Sequence, residues 1–161
     1  MALVPHDSRW AMLYEMEADL IGDALGDLPF ELDHIGSTAV RGLSAKPILD
    51  IALRVPKQHA ERAAKALVDI GYIERGYRSG RLFIRLEDGN VRTHNLHLYE
   101  PDDPDCMDQL AFRDALRADP ALRSDYAELK RSLVERLGDA GRQDYAAAKT
   151  GFIRSVLGSA R

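Results

Sequence analysis

The segment whose residue types best suit the binding of an anion is a glycine turn followed by a lysine and an aspartate. Gly36 precedes Ser37 and Thr38, and Lys46 and Asp50 follow on the same stretch. Glycine permits backbone conformations that are closed to other residues, and N–H groups at the start of a helical turn attract anions. Gly36, Ser37 and Thr38 are therefore predicted to bind a phosphate, which Lys46 would neutralise as a compact charge.

Two plainer interpretations of these residues stay open. Ser37 or Thr38 can cap the turn or helix that follows, because a hydroxyl oxygen accepts a hydrogen bond from a backbone N–H at a helix start. Lys46 can be an ordinary exposed loop lysine. Ser37 is not the nucleophile of a hydrolase elbow, since the second glycine of that motif is missing.

Asp50 lies in a predicted strand over 47–55, where alternation decides which side chains can meet a ligand. In a regular strand Asp50 and Arg54 share one face with Ala52. The opposite face is apolar and is predicted to be core: Leu49, Ile51, Leu53 and Val55. A carboxylate and a cation do not suit a packed interior. Asp50 is therefore predicted to be a catalytic residue and metal ligand, and Arg54 a ligand-binding residue.

A later strand over 93–99 offers further polar side chains. Alternation places Asn95 and His97 on one face and His94 on the other, so the two histidines cannot share a metal from one strand. If this strand neighbours the one that carries Asp50, Asn95 and His97 join the ligand site, and His97 joins Asp50 as a metal ligand. The alternative for a lone strand histidine is a hydrogen-bonded or surface imidazole.

Alternating and helical periods predict the elements that position these residues. They are a first helix capped by Asp7 or Ser8 and ending at Gly26, strands over 31–35 and 47–55, a helix over 59–70 that stops at Gly71, a hairpin over 72–100 that turns at 88–90, a helix from Asp119 to Gly138, and a last helix over 143–157. Residues 101–105 are predicted to form a loop between sheet and helices.

The composition predicts one soluble globular domain over 1–161. The chain is 45% hydrophobic and 30% charged with a net charge of −4, so it has no broad electrostatic attraction for nucleic acid. Five arginines are interpreted as solvated residues of strand edges and turns: Arg75, Arg78, Arg81, Arg85 and Arg92. Cys106 is the only cysteine, which excludes an intrachain disulfide and fits the reducing cytoplasm. No segment resembles a membrane span.

Four blocks in order, HIGSTAVRGLSAKPILDI, THNLHLYE, FRDALRADPALRSDYAELKRSL and YAAAKTGFI, resemble the GrpB family, whose members occur alone and fused to dephospho-CoA kinase. The resemblance spans nearly the whole chain. It implies the nucleotidyltransferase superfamily related to DNA polymerase beta, and hence an α+β fold with a nucleotidyltransferase-like mixed β-sheet, an N-terminal helix and a C-terminal helical region.

In that superfamily a Gly-Ser turn precedes a strand with an Asp-x-Asp or Asp-x-Glu pair, and a third carboxylate lies on a later strand. Gly36 and Ser37 match the turn, and Asp50 matches the first carboxylate. Ala52 occupies the second position, which weakens a two-metal site because that site relies on several oxygen ligands. Asn95 and His97 stand where the third carboxylate is expected. Similar sequences usually carry proline where this chain has Arg41.

Two functions follow from the resemblance and its departures. The first is a nucleotide- or small-anion-binding domain, regulatory in role, with a degenerate metal site. The alternative is a nucleotidyltransferase that uses Mg²⁺ or Mn²⁺ to transfer a nucleoside monophosphate to an acceptor. A metal hydrolase built on Asp50 and His97 is a weaker third hypothesis, since no second histidine is oriented to help. The predicted partner is in each case a small anionic molecule and not a membrane.

Overall fold

The computed structural model describes residues 2–137 and 142–160. The chain forms two compact units, Met1–Leu110 and Ala111–Arg161. The first contains the sheet and the second is helical, so the α+β class is confirmed. The single domain over 1–161 stays a prediction. The predicted helix end at Gly138 lies outside the described residues.

The first unit contains a five-stranded mixed sheet. Its strands are β1 (Glu31–Ile35), β2 (Leu49–Arg54), β3 (Ile73–Tyr77), β4 (Arg81–Glu87) and β5 (Val91–Tyr99). The order across the sheet is β1-β2-β5-β4-β3, with β2 and β5 parallel and the other neighbouring pairs antiparallel. The strand that carries Asp50 is therefore a direct neighbour of the strand that carries His97.

The register of β2 and β5 decides which side chains share a face. Asp50 pairs with Asn95, and Ala52 pairs with His97. Side chains of paired residues point to the same side of a sheet, so Asp50, Asn95 and His97 lie on one face, as alternation predicted. We call this the Asp50 face. His94 points to the opposite face, which confirms that the two histidines diverge.

The opposite face of the sheet packs against α1 (Arg9–Leu25) and α2 (Ala60–Asp69) and forms the main core. Both helices contribute an apolar stripe at helical spacing. Buried members of this cluster include Tyr14, Ile21, Leu25, Ile51, Leu53, Leu67, Phe83 and Leu96. The four side chains predicted to be the core face of residues 47–55 are all buried.

Local signals in the sequence explain where α1 begins and ends. The Asp7 carboxylate accepts a hydrogen bond from the Arg9 N–H at 2.9 Å, so Asp7 caps this helix and Ser8 does not. Gly26 follows the last helical residue with φ +62°, a conformation that glycine adopts without strain. The predicted helix over 59–70 is also confirmed, with α2 covering all but its end residues.

The hairpin of β4 and β5 turns at Asp88 and Gly89, which have φ +47° and +88°. Three residues, 88–90, connect the paired Glu87 and Val91, and the predicted turn is confirmed. The sequence did not separate β3 from this hairpin. All five β3 residues are exposed, so no alternation between apolar and polar positions marks this edge strand.

A buried polar network crosses from α1 to the main-core face of the sheet. The Glu17 Oε1 atom accepts hydrogen bonds from the Tyr72 hydroxyl at 2.7 Å and from the Arg85 guanidinium at 2.8 Å. Arg85 also donates to the Ile70 carbonyl at 2.8 Å and stacks over the Tyr72 ring. His94 lies 3.7 Å from the other Glu17 oxygen. Burial lowers the pKa of His94, which favours its neutral form.

This network corrects the interpretation of the five arginines as solvated. Arg85 belongs to the buried network, and Arg81 pairs with Glu74 at 2.9 Å and with Glu61 at 2.7 Å. Only 15% of each arginine side chain is exposed. Arg81 and Arg85 are therefore structural cations, because carboxylates from other elements reach them.

Helix α3 (Pro104–Ala118) begins within the segment 101–105 that was predicted to be a loop. The Asp103 carboxylate accepts a hydrogen bond from the Asp105 N–H at 2.8 Å, so the pair Asp103-Pro104 caps and opens the helix. The loop predicted over 101–105 is therefore too long. Cys106, in the first turn of α3, is buried against the sheet, and burial raises the pKa of its thiol to about 11.

The second unit contains the remainder of α3 with α4 (Pro120–Leu137) and α5 (Arg142–Ala160). The Asp119 carboxylate accepts hydrogen bonds from the N–H groups of the first turn of α4, which confirms the predicted start. Phe112, Tyr126 and Phe152 contact one another through their rings. No helix in the described residues is long and apolar enough to cross a membrane.

Candidate phosphate-binding site

The turn after β1 brings the backbone of Gly36 against the carboxylate of Asp50. A Cβ atom at Gly36 would lie 2.6 Å from Asp50 Oδ2. Gly36 has φ +74° and ψ −174°, a region that only glycine occupies readily. The turn and the carboxylate therefore converge, as the sequence predicted, and this approach requires glycine.

A short 3₁₀ helix, Ser37–Ala39, follows Gly36 directly. Its first hydrogen bond runs from the Ala39 N–H to the Gly36 carbonyl at 3.1 Å. The N–H groups of Ser37 and Thr38 precede that bond. They lie at the N-terminal end of the turn, where backbone N–H groups point away from the helical carbonyls. The backbone of the turn is thus arranged to present donors beside Asp50.

Asp50 is joined across the sheet to Asn95. The Asn95 amide Nδ2 donates to Asp50 Oδ1 at 3.1 Å. Asn95 Oδ1 is buried and makes no hydrogen bond within the described part of the chain. Because a carboxylate oxygen only accepts, the amide nitrogen must face Asp50 and the amide oxygen must face away. Asn95 therefore orients Asp50 and holds one unsatisfied acceptor on the same face.

Ala52 occupies the position of the absent second carboxylate, and it is fully buried with 0% exposure. It packs in a small apolar cluster with Ile35, Tyr99 and Cys106. This cluster lies on the Asp50 face, under the first turn of α3. An acidic side chain is thus absent at residue 52, and apolar packing fills the space around it.

His97 is half-buried on the Asp50 face, one residue pair beyond Asn95. Its Nδ1 atom donates to the carbonyl of Ser79 at 2.8 Å and lies 3.0 Å from the carbonyl of Arg78. Two residues of strand rise and one strand spacing separate the Cα atoms of Asp50 and His97 by roughly 8 Å. The sheet therefore places the two predicted metal ligands on one face. They do not occupy paired positions, because Asp50 pairs with Asn95 and His97 pairs with Ala52.

The donors on this face do not fit a two-ion metal centre. Such a centre needs several oxygen ligands. On this face Asp50 is followed two residues on by Ala52, and the carboxylates of Glu31 and Asp33 pair with Arg54. Within residues 2–137 and 142–160, no three or more His, Cys, Asp and Glu side chains are grouped to hold a metal. The predicted pair of Asp50 and His97 therefore gains no third ligand from the described chain.

Arg54 and Lys46 were both predicted to meet the ligand. Arg54 lies at the other end of β2, roughly 13 Å from Asp50 by strand rise, and it pairs with Glu31 at 2.6 Å and with Asp33 at 3.0 Å. The structure thus gives Arg54 two carboxylate partners and does not bring it to the turn. Lys46 is exposed in the loop before β2.

Thr38 does not cap the turn and does not offer its hydroxyl to a ligand. Gly36, which has no side-chain oxygen, is the residue at the cap position of the turn. The Thr38 hydroxyl lies 2.9 Å from His34 Nε2, and both side chains are buried, with exposures of 3% and 7%. The His34 ring stacks on Tyr14 of α1 at 4.7 Å.

His34 positions the turn, a role that its place in the sequence did not predict. Alternation through β1 places His34 with Leu32 on the core side, and a polar ring on that side needs a partner. That signal predicts a buried hydrogen bond, but it does not identify Thr38, four residues later, as the partner. His34 therefore links the core helix α1 to the turn that carries Gly36.

Thr38→Val is expected to lower the free energy of unfolding by about 1–3 kcal/mol, because the buried His34 Nε2 loses its partner while the side-chain volume is kept. Urea unfolding measures this change. Thr38→Ser retains the hydroxyl and is the matched control, which should lose less. Equal losses in the two variants would mean that the methyl group of Thr38, and not its hydroxyl, supports the turn.

Comparison with known protein sequences identifies relatives that align with nearly the whole chain. The sequence model of the family described as GrpB protein matches residues 1–159. A UPF0157 protein of Streptomyces coelicolor is 37% identical over 165 residues, covering 100% of this chain and 86% of that protein. A dephospho-CoA kinase of Mycolicibacterium paratuberculosis is 28% identical over 183 residues, covering 96% of this chain but only 44% of the kinase.

Comparison with solved structures extends the similarity to the fold. The conserved protein GrpB from Enterococcus faecalis superposes with a TM-score of 0.77 at 25% identity, over 97% of this chain and 99% of that chain. Cid1 in complex with the UTP analog UMPNPP gives a TM-score of 0.55 at 14% identity, over 82% of this chain and 43% of Cid1. The second match shows a nucleotidyltransferase-like fold alone. Since the family model matches residues 1–159, this chain belongs to the GrpB family.

Proposed function

We propose that this chain binds a nucleoside triphosphate or a related small anion at the turn of Gly36 and Ser37, and that it acts as a binding domain with a reduced metal site. The observation that carries the proposal is the contact of Gly36 with Asp50, where a Cβ would lie 2.6 Å from the carboxylate. Backbone donors and one carboxylate meet there, which is the arrangement that a phosphate carrying a divalent cation requires.

The charge of Asp50 determines what form the ligand takes. A phosphate beside a carboxylate is repelled unless a cation lies between them. Mg²⁺ keeps several waters and is commonly held by one or two carboxylates together with the phosphates of the ligand. Asp50 would be the protein carboxylate for Mg²⁺ or Mn²⁺ that arrives with the nucleotide, and Lys46 would supply further positive charge from the preceding loop.

Nucleotidyl transfer is the second candidate function. It is favoured by the fold neighbours, which include a cytoplasmic RNA terminal U-transferase with a TM-score of 0.57 at 12% identity. In that reaction an acceptor hydroxyl attacks the α-phosphorus and pyrophosphate leaves. Ala52 argues for binding over transfer, because its buried methyl group supplies no oxygen ligand for the second ion.

Asp50→Asn is expected to lower the affinity for the Mg²⁺ complex of the preferred nucleotide at least about tenfold, because the amide keeps the shape but loses the charge that holds the cation. Isothermal titration with ATP, GTP, CTP and UTP, with Mg²⁺ or Mn²⁺, measures the affinity. Pyrophosphate release is followed in the same samples. Binding by the original chain without release supports the binding domain.

Asp33→Asn is the matched control for this experiment. Asp33 lies on the same sheet face, but on β1, where it pairs with Arg54. Its loss changes the net charge equally and should leave nucleotide affinity unchanged. Failure of all four nucleotides to bind the original chain overturns the proposal. Pyrophosphate release that Asp50→Asn abolishes replaces binding with transfer as the function.

A further inference from the structure

The turn between β3 and β4 fixes which nitrogen of His97 carries a proton in the neutral ring. Nδ1 faces the carbonyl oxygens of Ser79 and Arg78 at 2.8 and 3.0 Å. Carbonyl oxygens only accept hydrogen bonds, so Nδ1 must be the donor. In a neutral imidazole the other nitrogen, Nε2, is then a hydrogen-bond acceptor.

Several independent contacts hold this turn in place. Ser79 has φ +53°, a conformation that costs a non-glycine residue energy, and its hydroxyl lies 2.6 Å from the Tyr99 hydroxyl. A Cβ atom at Gly80 would lie 2.7 Å from the Leu98 carbonyl, so the backbone of the turn is pressed onto β5. The His97 ring also stacks on Tyr99 with an interplanar angle of 18°. The orientation of the ring is therefore over-determined.

His97 shares a sheet face with Asp50, on the strand that neighbours β2. Nδ1 is directed at the turn that leads into β4, and β2 lies on the other side of β5. The β2 residue paired with His97 is Ala52, and the pair one step earlier is Asp50 with Asn95. Nε2 has no hydrogen-bond partner among the described residues.

We infer that His97 Nε2 accepts a hydrogen bond from a sugar hydroxyl of the nucleotide bound at the turn. This inference rests on the proposed function and names the group that His97 contacts. An acceptor on the protein selects a donor on the ligand, which excludes an ionised phosphate and admits a hydroxyl. The separation of roughly 8 Å between the Cα atoms of Asp50 and His97 fits a nucleotide whose phosphates lie at Gly36 and whose sugar follows.

Nitrogen-15 NMR of the histidine-labelled full chain reads the ring directly. At a pH where the ring is neutral, the resonances of free His97 should show a proton on Nδ1 and none on Nε2. Addition of ATP with Mg²⁺ should shift the Nε2 resonance, whereas 2′,3′-dideoxy-ATP and inorganic triphosphate should leave it near its free position. A proton on Nε2 in the free chain overturns the inference, and so does an equal shift with all three ligands.

His97→Asn tests the contact by affinity. The asparagine amide can still donate to the Ser79 carbonyl but has no group at the position of Nε2, so the thermal midpoint should change little. Affinity for ATP should fall about tenfold, the effect of losing one hydrogen bond to a ligand, to the level that dideoxy-ATP shows with the original chain. Affinity for inorganic triphosphate should not change.

The outcomes separate this inference from the proposed function. Equal loss of affinity for ATP and triphosphate in His97→Asn means that His97 only supports the fold of the site, and the inference fails while nucleotide binding stands. Selective broadening of Nε2 by Mn²⁺ without nucleotide assigns His97 to a metal and also overturns it. Absence of binding by ATP, GTP, CTP, UTP and triphosphate to the original chain removes the proposed function and this inference together.

Discussion

Gly36→Ala is expected to abolish nucleotide binding and to lower the free energy of unfolding by about 2 kcal/mol or more. The new Cβ would lie 2.6 Å from Asp50 Oδ2, closer than real Cβ contacts allow. Asp50 would have to leave the turn, although Asn95 holds it by a hydrogen bond. The backbone at φ +74° and ψ −174° adds a conformational cost of about 1–3 kcal/mol. Urea unfolding and titration with the Mg²⁺ complexes of the four nucleotides measure both effects.

Gly42→Ala separates the conformational cost from the collision. Gly42 also has a positive φ, +83°, but a Cβ there would meet no atom within 4 Å. This variant should lose stability through the backbone alone and should bind nucleotide normally. If Gly36→Ala binds as well as Gly42→Ala does, the close approach of the turn to Asp50 is not what forms the site.

Glu17→Ala is expected to lower the free energy of unfolding by about 3–5 kcal/mol, which would be the largest effect of a single side chain outside the site. Glu17 is 9% exposed and accepts hydrogen bonds from both Tyr72 and Arg85. Its removal leaves the partly buried guanidinium of Arg85 without its carboxylate, and an uncompensated buried charge costs several kcal/mol. Chemical denaturation monitored by circular dichroism measures the change.

Two variants calibrate this effect. Tyr72→Phe removes one hydrogen bond to Glu17 and leaves the ion pair with Arg85, so the loss should be about 1 kcal/mol. Glu61→Ala removes an exposed carboxylate from Arg81, and its effect should be below about 1 kcal/mol because water screens the pair and Glu74 remains as a partner. A loss in Glu17→Ala no larger than in Glu61→Ala would mean that water reaches the network and stabilises Arg85.

Elements with local signals could be predicted from the sequence. The start of α4 is marked by Asp119 before Pro120, where a side-chain acceptor and a residue without an N–H occur together. The same pair occurs at Asp103 and Pro104, but the surrounding prolines and aspartates suggested a loop there. Both pairs open helices, because the capping interaction depends only on neighbouring residues.

The buried network could not be predicted in the same way. Glu17 and Arg85 are 68 residues apart in sequence, and Glu17 and Tyr72 are 55 apart. No periodicity relates residues on separate elements at such distances. The alternation of β4 places Arg85 on the same side as the core residue Phe83. This placement predicts that the cation has a partner, because a buried charge without one is costly. The partner becomes visible only when α1 packs on the sheet.

The candidate site was predictable as a face but not as a set of contacts. Strand alternation alone put Asp50, Asn95 and His97 on one side, because the period of a strand is fixed. It could not show that Arg54 would be held by carboxylates of β1, or that the Thr38 hydroxyl would turn inward to His34. Those outcomes depend on register and on the helix that covers the core, which no local pattern encodes.

The burial of Ala52 bears on whether a two-metal centre could be built on this scaffold. Ala52→Asp would insert a carboxylate between Ile35 and Cys106, in an apolar layer from which water is excluded. Such a group favours its protonated form, and a neutral acid does not attract a divalent ion. A carboxylate at residue 52 could hold an ion only after the first turn of α3 is displaced, so one substitution does not by itself create a second metal site on this face.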